Sequence, residues 1–108
     1  MRKMIFYVAG VSVAGNCGAG VVMGDGDEIC TVESGAKVES RPLEKAVEEL
    51  LRIYRGFRPG KQVEIYASPT DYEKVYRLLP PDLRDKLDTC SYNPAVQVAA
   101  EFAIGERT

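Results

Sequence analysis

Arg41, Lys45, Arg52 and Arg55 recur at helical spacing, and four cations along one helix could meet a run of phosphates. Glu44, Glu48 and Glu49 stand among them, so the stripe is half-neutralised and also reads as the charge-laced, solvated face of an ordinary helix. Arg55, Arg58 and Lys61 form a second small basic cluster around the segment from Gly56 to Gly60. Asp25 and Asp27 alternate with glycines as in a calcium loop. The further ligands and the distal Glu of such a loop are missing, and a plain turn accounts for the pair. The chain has no histidine, which removes His-based zinc sites, Ser-His and Cys-His dyads and the usual proton switch near neutral pH. Cys17, Cys30 and Cys90 are odd in number and contain no C-x-x-C pair, so a structural zinc site is not expected. Free thiols in a reducing cytoplasm are the expectation, with one disulfide plus a free thiol as the alternative.

The rest of the composition bounds what can position these groups. A chain of 108 residues is one domain, long enough to bury a core without staples. At 45% hydrophobic and 28% charged it is an ordinary globular composition. The net charge of −2 gives no whole-molecule attraction to nucleic acid or anionic membrane, so such binding needs a local patch. No apolar run reaches the ~20 residues of a membrane helix, and no membrane partner is expected. Arg2 and Lys3 before the stretch from Met4 to Ala14 superficially match a targeting signal. Tyr7, Gly10 and Ser12 interrupt that stretch, and a buried strand is its better use.

Hydrophobic patterning predicts the order β-β-β-α-β-α-(β)-α. Lys3 to Ala9 is an apolar, β-branched and aromatic run suited to a strand buried on both faces. Gly10 to Gly18 reads as a loop of small residues. Ala19 to Met23 and Glu28 to Glu33 read as short strands joined at the Asp-Gly turn signal of Gly24 to Asp27. Ser40 or Arg41 opens a helix before Pro42, with Ser40 fitting the N-cap, and Leu43, Ala46, Val47, Leu50, Leu51 and Tyr54 form an apolar stripe. Val63 to Ala67 is a strand, and Ser68-Pro69-Thr70-Asp71 opens a second helix that Pro80-Pro81 ends. Asp82 to Leu87 is a helical turn, Leu87 to Tyr92 a short strand, and Asn93-Pro94 caps a last helix. Three antiparallel strands followed by helix-linked strands give a mixed α/β sheet with helices packed on it.

This order, with the residues at its junctions, resembles the ribonuclease H-like superfamily over about residues 3 to 105. Tyr7-Val8-Ala9-Gly10-Val11 followed by Gly15-Asn16-Cys17-Gly18-Ala19-Gly20 is similar to the family's first strand and Gly-Asn-Pro-Gly-type loop. Leu43-Glu44-Lys45-Ala46-Val47 with Leu50-Leu51 resembles its first helix. Ile65-Tyr66-Ala67-Ser68 resembles its fourth strand, and Asn93-Pro94 through Glu101 its final helix. The resemblance implies two-metal phosphodiester cleavage, in which clustered carboxylates hold two Mg²⁺ ions.

The carboxylates are what this chain lacks. The resemblance sets Ala9, Leu43, Ser68 and Ala100 at their four positions, all neutral and three apolar. Hard Mg²⁺ ions need charged oxygen ligands, so no metal and no other cofactor is expected. Glu44 and Glu101 lie one residue away from these positions and Asp71 three, and a relocated site would have to be built from them. One residue on a helix turns a side chain by about 100°, away from the original direction. The implied function is a catalytically inactive domain acting by binding, to RNA/DNA hybrid or structured RNA. The family's grip on nucleic acid implies contacts from Ser12, Gly15, Asn16 and Gly18, with Arg41, Lys45, Arg52 and Arg55 beside them. The alternatives are a structural or protein-interaction domain, homodimeric through an edge strand such as Glu28 to Glu33, and a nuclease with a rebuilt site.

Overall fold

The computed structural model describes residues 3–25, 31–57 and 62–107. Strand β1 (Lys3–Val13) pairs antiparallel with β2 (Asn16–Asp25), which pairs antiparallel with β3 (Thr31–Val38). Helix α1 (Pro42–Arg55) crosses to β4 (Gln62–Ala67), which lies parallel to β1 on its other side. Helix α2 (Tyr72–Leu78) and a 3₁₀ segment (Pro81–Lys86) lead to β5 (Leu87–Thr89), parallel to β4, and α3 (Pro94–Ala103) follows. The sheet order is β3-β2-β1-β4-β5. This is the element order expected from the patterning.

Alternation along the strands sends side chains to two different cores. Phe6, Val8, Val21 and Ile65 face α1, whose Leu43, Ala46, Val47 and Leu50 form the expected stripe, and Val75 of α2 joins them. Ala9 and Val22 face the opposite side, where Ala95, Val98 and Ala99 of α3 cover them. Among the described residues no polar or charged side chain is buried.

Several expected boundaries move, each for a local reason. The small-residue stretch from Gly10 to Gly18 is not a loop. Strand β1 runs on to Val13, and only Ala14 and Gly15 turn before β2 starts at Asn16. Both turn residues have positive φ, 50° and 82°, as a two-residue type I′ hairpin requires. Helix α1 is capped by Arg41, not Ser40. Arg41 takes the left-handed conformation (φ 54°, ψ 53°) and makes no side-chain cap bond. Pro42, in the first helical turn, disfavours the right-handed helical region for the residue before it, which keeps Arg41 outside the helix. Helix α2 starts at Tyr72 behind a turn closed by the Asp71 amide on the Ser68 carbonyl (2.9 Å). Among the described residues strand β3 covers Thr31–Val38 and so runs past the expected end at Glu33, while Glu28 to Cys30 lie outside them. Residues 26–30, with part of the Asp-Gly turn and Cys30, lie outside the described residues, as do Arg58 and Lys61. Cys17 and Cys90 are free thiols. No helix among the described residues is long and apolar enough to cross a membrane.

Candidate functional site

The connections from β1 lead to β2 and β3 on one side of the sheet and, through α1, to β4 and β5 on the other. The carboxyl ends of parallel β1 and β4 therefore flank a topological switch point, where open α/β sheets bind ligands. A cavity of about 400 Å³ opens there, lined by Ser68, Ser91, Tyr92, Asn93, Val96, Gln97 and Ala100.

Asn93 builds this site. Its Oδ1 accepts the Ala95 amide (3.0 Å) and so caps α3. Its Nδ2 donates to the Val8 carbonyl of β1 (2.9 Å) and to Ser68 Oγ at the end of β4 (3.1 Å). One side chain thus ties the start of α3 to both strands. Replacing Asn93 with Ala removes all three bonds and leaves two half-buried acceptors and a helix amide unpaired. The expected cost is about 2–3 kcal/mol, read as a lower urea midpoint at constant slope. Asn93→Asp keeps the cap oxygen but turns a carboxylate on the Val8 carbonyl, so it should not rescue the loss. A midpoint unchanged in both variants would remove Asn93 from this role.

The four positions that the resemblance gives to carboxylates divide in two. Ser68 and Ala100 line the cavity together. Ala9 lies beneath α3 with 0% of its surface exposed, and Leu43 is 6% exposed in the core on the opposite face of the sheet. The cavity wall holds hydroxyls, amides and one phenol, with no carboxylate. This donor set does not fit a pair of Mg²⁺ ions, which call for charged oxygens.

Glu44, Asp71 and Glu101 do not replace it. Among the described residues no three Asp, Glu, Cys or His side chains could hold a metal ion together. Glu44 pairs with Arg41 (3.8 Å) at the start of α1. Glu101 holds Arg107 Nε (3.0 Å), whose Nη1 reaches Glu33 on β3 (2.9 Å). Asp71 stands at the N-cap position of α2 without a side-chain cap bond, and burial raises its carboxyl pKa while Lys74 opposes the shift. The Cys90 thiol beside the cavity donates to the Ala67 carbonyl (3.6 Å), and burial pushes its pKa up, so it is a poor nucleophile.

The residues expected to grip nucleic acid lie in three places. Ser12, Gly15 and Asn16 share the tip of the β1–β2 hairpin, where Ser12 and Gly15 are exposed and Asn16 Nδ2 leans to the Ala14 carbonyl (3.5 Å). The first turn of α1 rests on Gly10 of β1: a Cβ there would stand 2.5 Å from the Leu43 nitrogen. Arg41 and Lys45 are therefore anchored near the hairpin. Lys45 is held by Glu48 (3.4 Å). Arg52 and Arg55 lie toward the far end of α1, with Arg55 about 20 Å along the axis from Arg41. Arg52 is tied to Glu49 (2.8 Å), whose carboxyl it holds below the usual range, and Arg55 has no ion pair among the described residues. Gly18 is buried under α3, so packing accounts for it. Sequence reasoning missed Tyr92, which is 74% exposed on the cavity rim with Gln97 beside it. An aromatic residue directly before the Asn-Pro cap was the available signal.

Solved structures share this fold. Over 98% of this chain and 99% of the other, it superposes with a TM-score of 0.69 and 19% identity on LC11-RNase H1, isolated from compost by a metagenomic approach. The fold is ribonuclease H-like. RNase H1 from the halophilic archaeon Halobacterium salinarum NRC-1 matches at a TM-score of 0.66 and 18% identity, over 97% of this chain and 99% of that one. LC11-RNase H1 in complex with RNA/DNA hybrid matches at 0.58 and 19% identity, covering 96% and 99% of the two chains. No family model and no curated protein matches the sequence. The ribonuclease H-like fold expected from the chain order is thus present, with a mixed five-stranded sheet.

Proposed function

We propose that this chain is a ribonuclease H-like pseudoenzyme that binds RNA/DNA hybrid and does not cut it. One observation carries the reading: the cavity at the carboxyl ends of β1 and β4 is lined by neutral hydrogen-bonding groups where the resemblance calls for acids. The structure of LC11-RNase H1 with RNA/DNA hybrid supports the choice of ligand.

The chain's own groups suit a sugar-phosphate backbone. The hairpin tip offers the Ser12 hydroxyl, the Gly15 backbone and the Asn16 amide. Arg41 and Lys45 stand near it, paired only with exposed or half-exposed glutamates that phosphates can displace. Ser68, Ser91 and Gln97 present donors and acceptors to 2′-hydroxyls, and the open face of Tyr92 offers a stacking surface. Arg52 and Arg55 extend the contact along α1. Free Cys17 and Cys90 suit a reducing compartment such as the cytoplasm.

Few cations take part and the net charge is −2, so binding is modest and salt-sensitive. With Arg41, Lys45 and Arg55 each meeting a phosphate, log K falls with log salt at a slope of about −2 to −3. Arg41→Ala with Lys45→Ala should lower that slope by about 1–2 and weaken all sequences alike. Fluorescence anisotropy of labelled hybrid, double-stranded RNA and single strands checks both. No binding of any of them at low salt would overturn the reading.

A further inference from the structure

The acidic cluster at the end of α3 and the outer edge of the sheet share one strand. We propose that β3 is the seam of a symmetric homodimer, in which two copies join antiparallel, edge to edge, into one sheet with five strands from each. The proposal goes beyond hybrid binding and does not depend on it.

Strand β3 is terminal in the sheet and pairs only with β2. Its eight residues, Thr31–Val38, contain no proline, and its outer row of backbone groups faces no other strand among the described residues. An open edge of this length is a template for another strand. The opposite edge, β5, has three residues.

The sequence of β3 is complementary to itself about Gly35. Two antiparallel copies centred there set Val32 opposite Val38, Glu33 opposite Lys37 and Ser34 opposite Ala36, twice over by symmetry. Faces agree as well as positions. Gly35 and Glu33 pair with Gly20 and Val22 of β2, so Glu33 and Lys37 project on the α3 side. Ser34 projects on the α1 side, where its hydroxyl donates to Glu49 (3.0 Å). Val32, 43% exposed, lies on that side too.

Charge argues for the same register. On the α3 side Glu33 and Glu101 share one guanidinium, Arg107, which leaves one negative charge uncompensated. Lys37 is exposed and makes no ion pair among the described residues. In the dimer, Lys37 of the second copy meets Glu33 and completes the cluster. A slip by two residues one way sets Glu33 against Glu39. The other way leaves Glu33 facing Gly35 and Lys37 facing Thr31.

The test is sedimentation equilibrium over a concentration series, with zero-length carbodiimide crosslinking of a mixture of ordinary and ¹⁵N-labelled protein. Along one strand Glu33 and Lys37 are about 13 Å apart, so a direct amide between them joins two chains. The expected result is a concentration-dependent dimer and a mixed-isotope Glu33–Lys37 crosslink. Lys37→Glu, an exposed substitution that should leave the circular dichroism unchanged, places carboxylates opposite each other at two points and weakens dimerisation by about tenfold or more. A strict monomer at hundreds of micromolar overturns the proposal. A dimer lacking that crosslink, or one that Lys37→Glu leaves unaffected, also overturns it by placing the seam elsewhere.

Discussion

Gly18→Ala should lower the melting temperature by roughly 12–20 °C, corresponding to about 3 kcal/mol of overpacking in a domain of this size. Helix α3 lies so close on β2 that a Cβ at Gly18 would fall inside the contact distance of the Ala99 carbonyl and 2.7 Å from the Ala103 nitrogen. Those are backbone atoms of the helix and cannot rotate away. Two residues along the same face, a Cβ at Gly20 would stand 2.5 Å from the Ala95 carbonyl and 2.6 Å from the Ala99 nitrogen. The variant must lift the helix, and the helix carries Asn93, Gln97 and Ala100 of the cavity. Gly20→Ala should therefore act in the same direction, and hybrid affinity should fall with either. Thermal scans check this. A shift of only a few degrees in both variants would mean that α3 is not seated on β2.

The second large effect concerns the positions that the resemblance gives to carboxylates. Installing a carboxylate at Ala9 should not create a metal site; it should strongly destabilise the domain. Ala9 is wholly enclosed by Val22, Ala95, Val98 and Ala99, and the described core holds no buried polar side chain to pair with it. Burial of that kind raises a carboxyl pKa by about three units or more, which at neutral pH costs about 4 kcal/mol. A domain typically has only ~5–15 kcal/mol in total. The sign follows from the raised folded-state pKa. The charge penalty is absent below about pH 4, where the acid is protonated in both states, and grows as pH rises through the unfolded-state value. Ala9→Asp should thus lose stability between acid and neutral pH relative to the parent chain. Ser68→Asp and Ala100→Asp sit on the cavity wall and should change stability by less than about 1 kcal/mol. Urea denaturation at two pH values measures the contrast. Equal tolerance at all three positions would contradict the packing described for Ala9.

Much of this was legible in the residues, for physical reasons. The stripe Leu43, Ala46, Val47 and Leu50 follows the 3.6 period, and all four are buried. Asn93-Pro94 reads as a cap because Asn accepts an amide while Pro tolerates the first turn, and both hold. What misled was the meaning of small residues. Gly10 and Gly18 resemble a loop in sequence, yet each lies in a strand where a helix backbone presses on it. Glycine marks close approach as readily as a turn, and no local pattern separates the two. Arg41 gives no sign of its left-handed backbone, because arginine is not a residue type that marks that conformation. At the site, the resemblance placed Ser68 and Ala100 together, and they share the cavity. It could not show that Ala9 and Leu43 lie in two different cores, since that depends on how α1 and α3 pack across the sheet. Tyr92 escaped because exposure is a property of the assembled fold.

On the proposed reading the hybrid is gripped and not cut. End-labelled RNA/DNA hybrid is therefore held with saturating protein and Mg²⁺ at low salt. Anisotropy is read first, and the same sample is then run on a denaturing gel. The hybrid should be bound and its RNA strand remain full length. Metal-dependent cleavage that disappears in Glu44→Ala or Glu101→Ala would contradict it and identify a rebuilt site.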